Sequence, residues 1–259
     1  MGKFLSAVSD GLRAVCGARD RILPTSAIIV ASGSSTRMGD GVSKQLLPLD
    51  NIPVVARTIS AFDECEYISE IIVVAKKEEF PFYKDFQKTY KFKKLVRLVS
   101  GGATRQESVK NGFSAISKES KFVAIHDGAR CLITPEQIRD VCRVAFKVGA
   151  ATAATRSTDS VKISSGKNLY IESSANRDHV WLAQTPQVFK TAIYDRALAK
   201  AEEDNLTVTD DNSLVENLGC NIRLVECGRE NIKITTPADI HLALSIIRAR
   251  EAAKGGDIS

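Results

Sequence analysis

Apolar residues gather in short runs along this chain, at Ala27 to Ala31, Ile68 to Ala75, Leu95 to Val99, Phe122 to His126 and Ala150 to Thr155, each rich in Ile, Val or Ala. Helical patterns fill most of the intervals. Strands alternating with helices predict an α/β fold, a mainly parallel sheet wrapped by helices on both faces. Helix starts are marked in the sequence. Thr104-Arg105-Gln106-Glu107 and Thr134-Pro135-Glu136-Gln137 read as capping boxes, the second with proline at the first helical position. Thr236-Pro237-Ala238-Asp239 opens a last helix reaching about Glu251. Residues 156–180 break the rhythm with Ser157, Ser164, Ser165, Gly166, Ser173 and Ser174, and predict a projecting arm. The organisation expected is an N-terminal extension over 1–26, one sheet domain over 27–251 carrying the arm, and a tail over 252–259.

At 259 residues and 44% apolar, the chain can bury a full core. Its apolar runs fall well short of the roughly 18 to 20 residues that cross a bilayer, so no membrane association is expected. The stretch around Phe4 to Val8 is too short for a secretory signal, and Asp10 and Asp20 argue against a transit peptide. Six cysteines show neither a CxxC pair nor zinc-ligand spacing, which predicts free thiols in a reducing compartment, the cytoplasm. The net charge of +5 suits an anionic small substrate. Lys76-Lys77 and Lys91 to Lys94 read as solvated faces, and with aromatics sparse there is no stripe of basic residues and stacking rings to suggest nucleic acid.

Candidate chemistry clusters where strands end. The first strand runs into Ala31-Ser32-Gly33-Ser34-Ser35-Thr36-Arg37-Met38-Gly39, with Lys44 after it. Small residues let backbone N–H groups approach phosphate oxygens, and the guanidinium and ammonium add fixed charge. The spacing is neither that of a P-loop nor of a dinucleotide fold. Further clusters are Gly101-Gly102-Ala103-Thr104-Arg105 with Ser108, His126-Asp127-Gly128-Ala129-Arg130, Thr209-Asp210-Asp211 and Asn231-Ile232-Lys233.

Together with TDSVK, NRDHVWLAQTPQVF, VTDDNSLVE and GRENIKITTPAD, these stretches resemble, from about residue 25 to 250, the cytidylyltransferases acting on 2-C-methyl-D-erythritol 4-phosphate in the non-mevalonate isoprenoid pathway. The resemblance implies a Rossmann-like nucleotidyltransferase fold, a homodimer with exchanged arms, CTP and a small polyol phosphate as substrates, and Mg2+ bridging the CTP phosphates without a protein ligand set. It implies that Arg37, Lys44 and Lys233 hold phosphates and stabilise transferring charge. Ala31, Ser32 and Gly33 would line the nucleotide, Gly102 and Ser108 would read the cytosine, and Asp127 and Gly128 would hold the ribose. Arg130, Thr185 and Thr209 would meet the acceptor in one subunit, with Ser160 and Arg177 from the partner's arm. An ionised acceptor phosphate needs no general base, so alignment and charge neutralisation suffice, and His126, His179 and His241 are expected to be structural or solvent-facing.

Simpler readings stand beside these. Arg105 can position its turn, Arg156 can be a solvated charge, Asp210 and Asp211 can be a helix N-terminal pair, and Trp181 and Phe189 can anchor core or interface. Ser32, Ser43, Ala103, Cys131 and Ser160 depart from the family pattern without removing a required charge. The alternatives are a ribitol-5-phosphate cytidylyltransferase and, from another class, a non-catalytic nucleotide-binding module. A nicotinamide oxidoreductase is disfavoured by the missing GxGxxG.

Overall fold

The computed structural model describes residues 21–33, 43–166 and 169–255, so Arg37, residues 1–20 of the expected extension and the last residues of the tail lie outside the described residues. The chain forms β1 (Thr25–Val30), a short hairpin of β2 (Pro48–Leu49) and β3 (Ile52–Pro53), α1 (Val54–Glu64), β4 (Glu70–Ala75), α2 (Phe80–Tyr90), β5 (Leu95–Ser100), α3 (Arg105–Phe113), β6 (Phe122–Asp127), α4 (Pro135–Val148) and β7 (Ala150–Arg156). There follow β8 (Lys162–Ser164), β9 (Ile171–Ser174), β10 (Trp181–Lys190), α5 (Thr191–Glu203), α6 (Asp211–Asn217), β11 (Arg223–Glu226) and α7 (Pro237–Gly255). Seven strands make one sheet in the order β11-β7-β10-β6-β1-β4-β5, and β10 alone runs antiparallel to its neighbours β6 and β7.

The central runs become strands because they are apolar on both faces, while β5, at the sheet edge, keeps Val96 and Arg97 exposed. Ala27 and Ile29 of β1 pack with Phe62, Ile138 and Val141 under α1 and α4, whereas Ile28 faces Val109, Ile125 and Tyr194 under α3 and α5. That two-sided burial demands continuous apolar character in the central parallel strands. β10 escaped the sequence reading because it carries Pro186, which removes a ladder donor and normally argues against a strand. Here the register shifts between Ala183 and Gln187, so the proline sits in the irregularity.

The helix signals are built as expected with two differences, one being that the last helix runs to Gly255 rather than about Glu251. Thr134 and Gln137 form the full reciprocal box, and Gly149, at φ 93°, closes α4 with its N–H on the Ala145 carbonyl. Thr104 caps α3 by accepting from the Glu107 N–H at 3.1 Å, but Glu107 reaches back to the Ala103 N–H instead of the cap residue. That contact tightens the turn before α3. α3 itself lies very close to the sheet, since a Cβ on Gly112 would stand 2.7 Å from Ile28 Cγ2 and 2.8 Å from Val74 Cγ2.

A third apolar cluster joins Leu49, Val54, Leu132, Ile234, Ala243 and Ile247, packing α7 over the loop that follows β6. The arm is the β8–β9 antiparallel hairpin, and it leaves Ile163, Leu169, Tyr170 and Ile171 between 48% and 82% exposed.

The contact under α3 makes a prediction. Gly112→Ala should destabilise the fold by about 1 to 3 kcal/mol, because neither β-branched methyl can swing away. Urea denaturation measures this, and a variant as stable as the parent would mean that α3 does not approach the sheet so closely.

Candidate active site

Strand order reverses direction at the boundary between β1 and β6, with β4 and β5 on one side and the rest on the other. Ligands in open α/β sheets lie beyond the carboxyl ends of strands at such a switch point. A cleft of about 350 Å³ opens there, lined among others by Ser32, Gly33, Lys44, Gly102, Arg105, Ser108, Asp127 and Lys233. A smaller cavity of about 170 Å³ adjoins it, lined by Arg130, Thr185, Gln187, Thr209 and Asp210, and shares Arg105, Asp127 and Lys233 with the cleft.

The shared residues form one electrostatic unit. Asp127 ends β6, and its carboxylate meets Lys233 Nζ at 2.8 Å, Arg130 Nε at 3.5 Å and Arg105 Nε at 3.6 Å. Burial opposes ionisation of Asp127, yet Lys233, Arg105 and Arg130 outweigh it and hold the carboxyl well below the usual range. Arg105 also pairs with Asp211 at 2.8 Å, and Tyr194 donates to the other oxygen of Asp211 at 2.6 Å. Asp210 caps α6 through the Ser213 N–H at 3.1 Å. The two aspartates therefore divide: Asp210 is the helix cap anticipated as the simpler reading, and Asp211 is a buried partner of Arg105.

Lys233 arrives by a strap held at both sides. Ile232 and Ile234 pack into the third cluster, the Ile234 N–H donates to the Ala129 carbonyl at 2.9 Å, and Arg130 donates to the Asn231 carbonyl at 2.8 Å. The Asn231 side-chain amide in turn donates to Gln184 and to the Thr185 carbonyl. The lysine is thus aimed by its neighbours at Asp127.

His126 is buried beneath the site. Its Nε2 lies 3.2 Å from the Arg130 carbonyl, which can only accept, so Nε2 carries the proton and Nδ1 accepts from the Thr185 hydroxyl at 3.0 Å. Burial pulls its pKa down to about 4, which keeps the ring neutral at physiological pH. Thr185 itself accepts from the Asp127 N–H at 3.1 Å and so ties β10 to β6.

The predicted residues separate between these cavities. Ser32, Gly33, Lys44, Gly102, Ser108, Asp127 and Lys233 come together in the cleft; Arg130, Thr185 and Thr209 line the smaller cavity. Ala31 and Gly128 lie buried just behind, with the Gly128 N–H on the Val30 carbonyl at 2.9 Å. Ser108 accepts from the Gly102 N–H and the Ser32 hydroxyl and donates to the Thr104 carbonyl, so it shapes the turn whose backbone faces the cleft. Ser160 and Arg177 line neither cavity of their own chain, and Arg177 donates to the Thr158 carbonyl at 3.3 Å. Arg156 is not a purely solvated charge: it lies 4.5 Å over the Trp181 ring and 3.7 Å from Glu226. Lys76 corrects the reading of Lys76-Lys77 as a solvated pair, since it lines the cleft. Its place directly after a strand was the available signal.

A family model described as IspD, 2-C-methyl-D-erythritol 4-phosphate cytidylyltransferase, matches residues 25–249. The chain belongs to this family. It is 41% identical over 225 residues to the 2-C-methyl-D-erythritol 4-phosphate cytidylyltransferase of Caldanaerobacter subterraneus, covering 86% of this chain and 98% of that one. The enzyme of the same description from Alkaliphilus oremlandii is 39% identical, covering 91% and 100%. The crystal structure of 4-diphosphocytidyl-2C-methyl-D-erythritol synthase from Anaerococcus prevotii superposes with a TM-score of 0.78 at 30% identity, covering 88% and 100%. Membership of the IspD family makes the chain an enzyme, a nucleotidyltransferase of the Rossmann-like α/β fold.

The charge cluster makes a prediction about stability. Because the folded pKa of Asp127 is depressed, its contribution is present above its unfolded pKa of about 4 and fades as pH falls below that. Asp127→Asn should cost about 3 kcal/mol at pH 7 by leaving buried cations unpaired. The deficit should narrow below about pH 4; denaturant titrations giving the same deficit at pH 3 and pH 7 would refute the assignment.

Proposed function

We propose that this chain transfers the cytidylyl group of CTP to 2-C-methyl-D-erythritol 4-phosphate, giving 4-diphosphocytidyl-2-C-methyl-D-erythritol and pyrophosphate. The observation that carries the reading is the pair of adjoining cavities that meet at Lys233, Arg105 and Asp127. CTP occupies the cleft and the acceptor phosphate the smaller cavity. An acceptor phosphate oxygen attacks the α-phosphorus, the bond from that phosphorus to the bridging oxygen breaks, and pyrophosphate departs. A phosphate monoester has its second pKa near 6, so the nucleophile is ionised at neutral pH without a base. This agrees with a site whose one histidine is neutral and turned inward.

In this reading the backbone of the Gly101–Ala103 turn reads the cytosine, with Ser108 holding the turn, and Asp127 holds the ribose with Gly128 packed behind it. Lys44 and Arg37 hold the triphosphate, and Lys233, set between the cavities, touches both reacting phosphates. Arg130, Thr185 and Thr209 receive the acceptor. Among the described residues that line the cleft, Asp127 is the one carboxylate. Mg2+ entering with CTP would supply further neutralisation of phosphate charge, with Asp127 the one lining carboxylate near enough to help hold it.

The arm supports a homodimer. Ser160 and Arg177 face neither cavity of their own chain, while the apolar hairpin tip around Leu169, Tyr170 and Ile171 is left bare. A second copy would cover the tip and receive both polar residues at its acceptor cavity. The sheet domain over residues 27–251 is the catalytic unit, and free cysteines suit a reducing cytoplasm. No helix among the described residues is long and apolar enough to cross a membrane.

Pyrophosphate release with CTP and Mg2+ tests the proposal, with methylerythritol 4-phosphate and ribitol 5-phosphate compared at matched concentrations and ATP as a control. Strong preference for the methylerythritol phosphate is expected. Preference for ribitol phosphate would keep the mechanism and change the acceptor, and no release with either would leave a nucleotide-binding module.

Arm exchange has its own test. Lys44→Ala should lower turnover about a hundred- to a thousandfold by analogy with lost oxyanion donors, and Arg177→Ala should chiefly raise the acceptor KM. Each hybrid of the two variants has one intact site, so mixing them should restore activity. No recovery after verified subunit exchange would defeat the shared site.

A further inference from the structure

Lys76 and Lys77 are neighbours in sequence, but only Lys76 is half-buried and lines the cleft. It follows β4, which lies between β1 and β5. The Ala31 N–H donates to the Val74 carbonyl at 2.7 Å and the Gly101 N–H to the Ala75 carbonyl at 3.0 Å. Lys76 therefore emerges between Ala31–Gly33, which follow β1, and the glycine turn after β5. Asp127 is two strands away on β6, roughly 10 Å at ordinary strand spacing, and no ion pair among the described residues engages Lys76.

Glu78 is exposed, and burial raises the pKa of the Glu79 carboxyl against the opposing pull of Ser43 and Lys76. The Glu79 contact with Ser43 also brings the Lys44–Gln45 segment alongside the stretch that carries Lys76.

We propose that Lys76 is a further nucleotide-binding residue, donating to the β- and γ-phosphate oxygens of CTP and to pyrophosphate as it leaves. In-line displacement places the attacking and leaving oxygens on opposite sides of the α-phosphorus. Arg130, in the smaller cavity, holds the attacking side and Lys233 stands between the two phosphates; Lys76 stands across β1 from both. There it meets the charge that builds on the leaving group as the bond from phosphorus to the bridging oxygen breaks. This rests on the reading of the cleft as a CTP site.

Calorimetric titration of the full chain with CTP and with CMP, in Mg2+ and without acceptor, tests the assignment on the parent, Lys76→Gln and Lys76→Arg. Loss of a charge-assisted hydrogen bond should weaken CTP binding by about tenfold or more in Lys76→Gln and leave CMP unchanged. Lys76→Arg should recover most of the loss. In steady state the glutamine variant should raise the KM for CTP and weaken product inhibition by pyrophosphate, with the acceptor KM unmoved. Equal losses for CTP and CMP, or no loss for either, overturn the assignment. A parent chain that binds no CTP would overturn the CTP reading of the cleft with it.

Discussion

The site depends on one buried carboxylate. Lys233, Arg105 and Arg130 come from a strap, a helix start and the loop after β6, and at close quarters their like charges would repel. Asp127 lets them converge by sitting within ion-pair reach of all three. The arrangement holds the cations in place in the absence of any ligand, and on the proposed function little reorganisation remains for the moment of reaction. Lys44, Lys76, Arg105 and Lys233 bring cationic side chains to the cleft, where Asp127 is the one lining carboxylate among the described residues.

The scaffold holds this cluster with apolar packing on three sides. Two clusters sandwich the sheet, and the third clamps the strap through Ile234 and α7. Thr185 adds a polar tie, joining the Asp127 amide to His126 and hence to the Arg130 carbonyl. His126 serves as part of this frame, its protonation suppressed by burial.

Much of this was legible in the chain. Four parallel strands announced themselves because two-sided burial demands unbroken apolar runs, the edge strand β5 showed by its Leu and Val residues despite Arg97, and Thr134 with Gln137 wrote a helix start in local chemistry. What stayed hidden depends on distant residues. Nothing near Asp211 in sequence reveals Arg105 and Tyr194 as its partners, and Lys76 looks like Lys77 until the strand order places its end beside β1. β10 was obscured by Pro186, and β11 is a short, exposed edge strand with little apolar signal. The proposed nucleotide contacts were readable as motifs because they lie in contiguous loops. The arm residues gave only a polar, turn-rich signature.

The one antiparallel strand carries a consequence for how such enzymes diversify. β10 leaves the arm at Trp181, passes the smaller cavity with Gln184 and Thr185, and ends in the core at Phe189. The proposed subunit contact and much of the proposed acceptor pocket are therefore written in one uninterrupted stretch of gene, while the glycine turn and the first loop lie far upstream. On the proposed assignment, one polyol phosphate is exchanged for another by rewriting that stretch, without touching the segments assigned to the nucleotide.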